Sequence, residues 1–106
     1  MFARRVSMHL KPNSGAEFTK RIEKDIFPLL RKQKGFQDEI TFIASSGKEA
    51  FGISLWDKAE NAEAYNHANY PEVVKLLASV VEGTPHVETY EVSNSTFPKV
   101  AAAVAA

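Results

Sequence analysis

The sequence predicts an α+β domain in which two β-α-β units share one four-stranded antiparallel sheet. Four short segments alternate apolar and polar residues, and two longer segments repeat apolar residues at helical spacing. The two halves also share landmarks: Ser14 and Asp57, which precede the helical segments, are 43 positions apart, as are Pro28 and Pro71. This order of elements predicts the ferredoxin-like β-α-β-β-α-β arrangement.

In the first half, residues 2–10 alternate as a strand whose apolar side is interrupted by Arg4. Ser14 and Glu17 have the spacing of a capping box, so we expect the first helix to begin at Ser14. Pro28 is expected to kink this helix, and Gly35 suits the position just after its end. Strand 2 is predicted over residues 36–44, with Phe36, Ile40, Phe42 and Ala44 on one side.

The second half begins with a hairpin, "SSGKE", and a strand over residues 50–56. Asp57 and Glu60 form a second capping box, and the helix that follows is expected to break near Tyr70 because Pro71 disfavours helical geometry before it. A second helical piece is predicted from Pro71 to Gly83, and a last strand over residues 86–94. Residues 1–94 therefore make one domain. Residues 95–106 form an alanine-rich tail that favours helix but needs a surface to dock against.

Strands 1 and 3 are expected to run parallel at the centre of the sheet. On that assumption His9, Trp56, Asp57 and His86 share one rim with the region of Asp38. Two histidines and a carboxylate can bind a metal ion. Their spacing matches no metal motif, however, so exposed strand-end histidines are the simpler interpretation and no metal is predicted.

The two helices can cover only one face of the sheet, although both faces carry apolar or small side chains. An exposed apolar face marks an interface, so we expect a twofold homodimer through the uncovered face. Its predicted residues are Ala50, Gly52 and Ser54, whose small size allows close packing, with Ile43, Tyr90 and Val92.

The composition narrows the function classes. Thirteen basic and thirteen acidic residues give a net charge of zero, which offers no field for binding nucleic acid or an anionic membrane. The absence of cysteine excludes disulfides, thiolate metal sites and a cysteine nucleophile. The sequence contains no signal-like segment and no apolar run long enough to span a membrane, so a cytoplasmic location is expected.

The stretch that ends strand 3 at Trp56 and continues "DKAENAEAY", together with "GF" at Gly35 and Phe36, resembles the antibiotic biosynthesis monooxygenase family. The resemblance covers about residues 2–94 and implies a dimeric α+β barrel. It also implies cofactor-independent oxygenation of a small aromatic or quinol-type substrate: the deprotonated substrate itself passes an electron to O₂. No cofactor is therefore expected.

Some positions depart from branches of this family. Trp56 matches the aromatic polyketide branch, but Gly52 and Ala62 stand where that branch has asparagine and tyrosine. In the haem-degrading branch a histidine that binds haem corresponds to Lys75 here. A protonated lysine is a poor haem ligand, so haem degradation is not expected.

The resemblance and the chemistry of the side chains nominate four site residues. Trp56, Tyr65 and Tyr70 are the predicted substrate-binding residues, and His67 is the predicted catalytic base. Three of them have a simpler interpretation: Trp56 closes the end of the barrel or the dimer seam, Tyr65 lies at the surface and His67 is solvated. Tyr70, before Pro71 at the break between helical pieces, is expected to be positioned by the backbone. The alternative function is accordingly a non-catalytic dimeric ligand-binding or structural module of the same fold.

Arg5 and His9, on the polar side of strand 1, are also candidates. They could bind an anionic ligand. A partner carboxylate such as Glu88 or Glu91 on the neighbouring strand is the simpler use.

Overall fold

The computed structural model describes residues 1–105 and contains the predicted order of strands and helices, followed by one further helix. The strands are β1 (Phe2–Leu10), β2 (Phe36–Ile43), β3 (Glu49–Trp56) and β4 (Val81–Glu91). The helices are α1 (Gly15–Arg21), α2 (Phe27–Arg31), α3 (Ala59–Ala68), α4 (Tyr70–Leu77) and α5 (Pro98–Ala105), and a π-helical turn, Ile22–Ile26, joins α1 to α2.

The four strands form one sheet in the order β2-β3-β1-β4, and every neighbouring pair is antiparallel. The expectation that strands 1 and 3 run parallel is therefore wrong. The helical crossover makes β2 parallel to β1, and β3 lies between them, antiparallel to both. Trp56 accordingly lies opposite Phe2, whereas His9 lies opposite Glu49. Trp56 and Asp57 are thus at the opposite end of the sheet from His9, and the predicted common rim does not exist.

The first helical layer packs Phe18, Ile22, Ile26 and Leu30 against the sheet at a spacing of four residues. The predicted interruption near Pro28 takes the form of the π-helical turn that precedes α2. Ser14 is the N-cap residue of α1, but its side chain makes no capping bond. Its backbone has helical angles, φ −102° and ψ 0°, instead of the extended geometry that points a capping hydroxyl at the helix. Glu17 instead accepts a hydrogen bond from Arg21.

The second helical layer begins and ends at different residues from those predicted. The N-cap of α3 is Lys58, not Asp57, because the Lys58 carbonyl is the one that accepts from the Ala62 N–H at 3.3 Å. The Asp57 carboxylate instead accepts a hydrogen bond from the Asn61 side chain at 2.8 Å. The break before Pro71 falls at Asn69. Helix α4 ends at Leu77, well before Gly83. Val81 already pairs with Leu10 in the sheet, and Gly83 has a positive φ of 69° inside the irregular part of β4.

The small residues of β3 face the helices, so the prediction that they form the dimer surface is wrong. Side chains alternate along a strand, and Trp56 is buried beneath α3. Ala50, Gly52 and Ser54 therefore share its side. The opposite face of the sheet carries Phe51, Ile53 and Leu55 from the same strand, and Tyr90 belongs to that face because both Tyr90 and Leu55 pair with Ala3.

The predicted tail forms α5 and rests on that outer face. Val100 is only 2% exposed and shares a surface groove with Ile53 and Leu55, and Lys99 lies 3.8 Å from the Asp38 carboxylate. The helix thus has the docking surface that so short a segment needs. Among residues 1–105, no helix has both the length and the apolar character required to cross a bilayer.

Candidate functional site

A cavity of about 60 Å³ lies between the sheet and the helices. This volume holds about four water molecules. Its wall is mainly apolar, with side chains from both helical layers and from β1. Polar groups reach it from four residues of the sheet and two of the helices: Arg4, Glu39, Thr41, Ser54, Tyr65 and Tyr70.

The strand register sets the spacing of the two charged residues in this wall. Glu39 pairs with Ser54 across β2 and β3, and Ser54 pairs with Arg4 across β3 and β1. The three residues form a row across the sheet on the side that faces the helices. Because neighbouring strands are about 4.8 Å apart, the Cα atoms of Glu39 and Arg4 are separated by roughly 10 Å.

Glu39 reaches the cavity because of a bulge in β2. Phe36 pairs with Trp56 but Asp38 pairs with Leu55, so Gln37 is an extra residue in the ladder. The bulge turns both Phe36 and Glu39 toward the helices. The predicted strict alternation, which grouped Phe36 with Ile40 and Phe42, is therefore wrong, and this is why sequence reasoning missed Glu39.

The Glu39 carboxylate lies over Gly52 and has one hydrogen-bond donor. Thr41 Oγ1 is 2.8 Å and 3.1 Å from its two oxygens. A Cβ atom at Gly52 would come within 2.6 Å of Oε1, so the missing side chain makes room for the carboxylate. Burial raises the pKa of Glu39 to about 7, and the Thr41 hydrogen bond only partly opposes this effect. Glu39 can therefore take up or release a proton near neutral pH.

Arg4 is the second charged group of the wall and is only 3% exposed. Its Nη2 donates to Asn66 Oδ1 at 2.7 Å. The guanidinium lies 4.1 Å from the centre of the Tyr70 ring and 5.3 Å from that of Tyr65. Burial lowers the pKa of Arg4, but an arginine stays protonated over the working range of pH. In the sequence, the feature that could have indicated a role for Arg4 is its charge on the otherwise apolar side of strand 1.

Of the predicted substrate-binding residues, Tyr65 and Tyr70 line the cavity and Trp56 supports them from behind. Trp56 is fully buried, stacks on Tyr65 at 5.1 Å between ring centres, and donates from Nε1 to Ser54 Oγ at 2.9 Å. Phe36 packs edge-on against its other side. This geometry makes Trp56 a packing residue that holds Tyr65 in place.

The two tyrosine hydroxyls are in an environment that keeps them protonated. Burial raises the pKa of Tyr65 to about 12, with the nearby Arg4 charge acting in the opposite direction. Burial likewise raises the pKa of Tyr70 against the effect of Arg4. The Tyr70 hydroxyl is buried and makes no hydrogen bond of good geometry among the described residues, although the Arg4 guanidinium is near enough to lower its pKa. It is available to donate to a ligand.

The remaining candidates lie away from the cavity. His67 is 79% exposed on α3, and its Nε2 is 3.6 Å from Glu63. Arg5 is 3.8 Å from Glu88, the simpler use expected for it, and His9 is 3.7 Å from Glu49. Within residues 1–105 no three histidine or carboxylate side chains form a cluster suited to a metal ion.

The fold and the cavity define a class: small α+β domains with a partly open site between sheet and helices. No protein-family model matches the sequence, and no curated protein matches it significantly. Solved structures do match. A monooxygenase from the gene ActVA-Orf6 of Streptomyces coelicolor, in complex with nanaomycin D, superposes with a TM-score of 0.77 and 15% identity over 92% of this chain and 91% of that chain.

Two further structures have the same fold. SnoaB, a cofactor-independent oxygenase from Streptomyces nogalater, matches with a TM-score of 0.72 and 12% identity over 92% of this chain and 96% of its own. A candidate antibiotic biosynthesis monooxygenase from Bordetella bronchiseptica matches with a TM-score of 0.73 and 16% identity over 86% and 95%. These structures confirm the α+β fold of the single chain, with its four-stranded antiparallel sheet and helices.

Proposed function

We propose that this chain is a cofactor-independent monooxygenase that acts on a small aromatic or quinol-type molecule in the cavity. The observation that carries the proposal is the pair of charged groups in one apolar wall, the half-buried Glu39 and the buried Arg4. A group whose pKa is near neutrality is suited to accept a proton, and a fixed cation is suited to stabilise the resulting anion. The descriptions of the two Streptomyces enzymes as a monooxygenase and a cofactor-independent oxygenase are consistent with it.

In the proposed reaction the Glu39 carboxylate removes the phenolic proton of the substrate, and Arg4 stabilises the phenolate. The phenolate transfers one electron to O₂, and the phenoxyl radical and superoxide combine at a ring carbon that bears hydrogen, which gives a peroxide anion. This anion takes back the proton held by Glu39. The hydroperoxide then loses water, with the hydrogen of that carbon, to leave a carbonyl group, so one oxygen atom enters the product and the other leaves as water. The substrate supplies all the electrons.

The four residues nominated from the sequence have different roles in this proposal. Tyr65 and Tyr70 form the wall against which the aromatic ring packs, and Trp56 supports Tyr65. The proton goes to Glu39 and not to His67, because Glu39 lines the cavity whereas the His67 ring is in solvent. A general base has to lie within hydrogen-bond reach of the proton it removes.

Oxygen uptake tests this proposal. With a panel of single-ring hydroquinones in chelated buffer, we expect uptake above the rate of protein-free autoxidation. Removing a general base usually lowers the rate by a factor of about 100 or more, so Glu39→Gln should lose most of this uptake. His67→Ala is the matched control, on the surface, and should keep it. Equal rates for Glu39→Gln and the wild type would contradict the role of Glu39.

The same panel separates the two function classes. A non-catalytic ligand-binding or structural module would show no uptake with any member, whichever variant is used. In that outcome the monooxygenase proposal fails and the module with the same fold is the better description.

We further propose that the outer face of the sheet forms a homodimer interface. Phe42 is 40% exposed and stacks on Phe51 at 4.7 Å between ring centres, and Tyr90 is 46% exposed. Helix α5 covers only the part of this face near Ile53 and Leu55, and the exposed apolar part that remains marks an interaction surface. Light scattering at micromolar concentration should give twice the chain mass of 11.7 kDa. Phe42→Asp should shift the population toward monomer, and a monomeric wild type would contradict the interface.

A further inference from the structure

We propose that the cavity binds an aromatic carboxylate, with Arg4 and the Tyr70 hydroxyl holding the carboxylate group. This inference names the substrate class of the site and rests on the proposed function only for the statement that the bound molecule is oxidised. Binding of the carboxylate depends only on the charge and the hydrogen-bonding groups of the cavity wall.

The first argument is the unbalanced charge of Arg4. The side chain is almost completely buried, yet none of the ion pairs found among residues 1–105 includes it. Glu63 has the weakest of the effects that act on the pKa of Arg4. Its one side-chain acceptor is Asn66 Oδ1, although a guanidinium carries five N–H donors. Buried charges are normally paired, so the unused donors favour an anion supplied from outside the chain.

The second argument is the Tyr70 hydroxyl, which is buried without a hydrogen-bond partner beside the same guanidinium. A buried polar group without a partner is uncommon and costs free energy. A carboxylate has two acceptor oxygens and would satisfy both Arg4 and Tyr70. Hydrogen bonds of this kind, in which the donor or the acceptor is charged, are stronger than neutral ones.

The third argument is the distribution of groups around the rest of the wall. Glu39 lies two strands from Arg4 in the same row, and side chains such as Val6, Val73 and Leu77 line the cavity. A second anionic group near Glu39 would be repelled, whereas a hydroxyl group there could donate to its carboxylate. At about 60 Å³ the cavity is smaller than the roughly 150 Å³ of a cavity that encloses one benzene ring, so it excludes fused rings, and even a single ring must extend through its open side. The arrangement therefore fits a ring with a carboxylate at one end and a hydroxyl at the other.

Binding of 4-hydroxybenzoate and of its neutral analogue 4-hydroxybenzamide tests the inference. The two probes have nearly the same shape and differ in charge. Trp56 is the only tryptophan and stacks on Tyr65, so its fluorescence reports occupancy, and calorimetry under nitrogen gives the affinities. We expect wild-type protein to bind the carboxylate at least about tenfold more tightly than the amide, as one charged hydrogen-bonded contact provides.

Two variants and a control locate the preference. Arg4→Met should bind the two probes equally. Tyr70→Phe should weaken the carboxylate several-fold and the amide less, because a hydrogen bond to a charged acceptor is stronger than one to a neutral carbonyl. Arg5→Met is the matched control, on the outer face of the same strand, and should keep the preference. If Arg4→Met does not fold, Tyr70→Phe decides the question. No preference in the wild type, no binding of either probe, or an unchanged preference in Tyr70→Phe would overturn the inference.

The binding experiment also distinguishes this inference from the proposed function. A carboxylate preference without oxygen uptake from any dihydroxybenzoate or quinol would refute the monooxygenase proposal and leave the binding site intact. Oxygen uptake from neutral quinols by a protein without the preference would support the oxygenase and refute the carboxylate site.

Discussion

Replacing Glu39 by glutamine should raise the free energy of unfolding by up to about 3 kcal/mol at about pH 8 and leave it nearly unchanged at about pH 4. The reason is the pKa of this carboxyl group, which burial raises from the ordinary value of 4.5 to about 7 in the folded chain. The figure is an upper value because the side chain keeps some contact with solvent.

The sign of this change in the free energy of unfolding follows from the number of protons that the folded and the unfolded chain bind at each pH. Below about pH 4 the carboxyl group is neutral in both the folded and the unfolded chain, so glutamine replaces a neutral group of similar size. Between 4.5 and about 7 the unfolded chain has already lost the proton that the folded chain still holds. The wild type therefore loses stability as the pH rises through this window, and the variant does not.

Denaturant unfolding followed by Trp56 fluorescence at a series of pH values measures the effect. Taking the difference between variant and wild type cancels the other titrating groups. Glu23→Gln is the matched control, since Glu23 is exposed within the first helical layer and belongs to none of the ion pairs found among residues 1–105, so the substitution should change stability little. Parallel pH profiles for Glu39→Gln and wild type would show that the carboxyl group is solvated and would remove its role as a base near neutrality.

The order of elements could be predicted because it depends on local patterns. Alternation in the strands, helical spacing in the two longer segments and the helix break before Pro71 are each encoded within a few neighbouring residues. The orientation of β3 and the face used by Ala50, Gly52 and Ser54 depend on pairing between distant segments. The burial of Trp56 under α3 settles which face they use. Side chains alternate along a strand, so Ala50, Gly52 and Ser54 lie on the same side of β3 as Trp56.

The two charged residues of the candidate site, Arg4 and Glu39, were harder to predict from the sequence, and the reason differs between them. Arg4 left a signal, since a lone cation on the apolar side of a strand requires either solvent or a partner. Glu39 left none, because its direction is set by the bulge at Gln37 and its space by Gly52, which lies on another strand. His67 illustrates the converse: its chemistry suits a base, but a helical position does not by itself determine whether a side chain reaches a cavity.

Trp56→Ala should lower the free energy of unfolding by about 3–5 kcal/mol, the largest effect expected for a single change in this chain. The indole is fully buried between Tyr65 and Phe36, so its removal leaves a cavity in the core. It also removes the donor to Ser54 Oγ. Trp56→Phe keeps a ring in the space and loses the hydrogen bond, so about 1–2 kcal/mol is expected for it.

Circular dichroism must follow these transitions, because the substitutions remove the only tryptophan. Phe97→Ala is the control: this ring is 61% exposed, and its loss should change stability by less than about 0.5 kcal/mol. A cost for Trp56→Ala as small as that of the control would mean that the indole is a mobile wall of an open pocket. A large cost, together with ligand affinity retained in Trp56→Phe, would show that Trp56 acts on the site by holding Tyr65 in position.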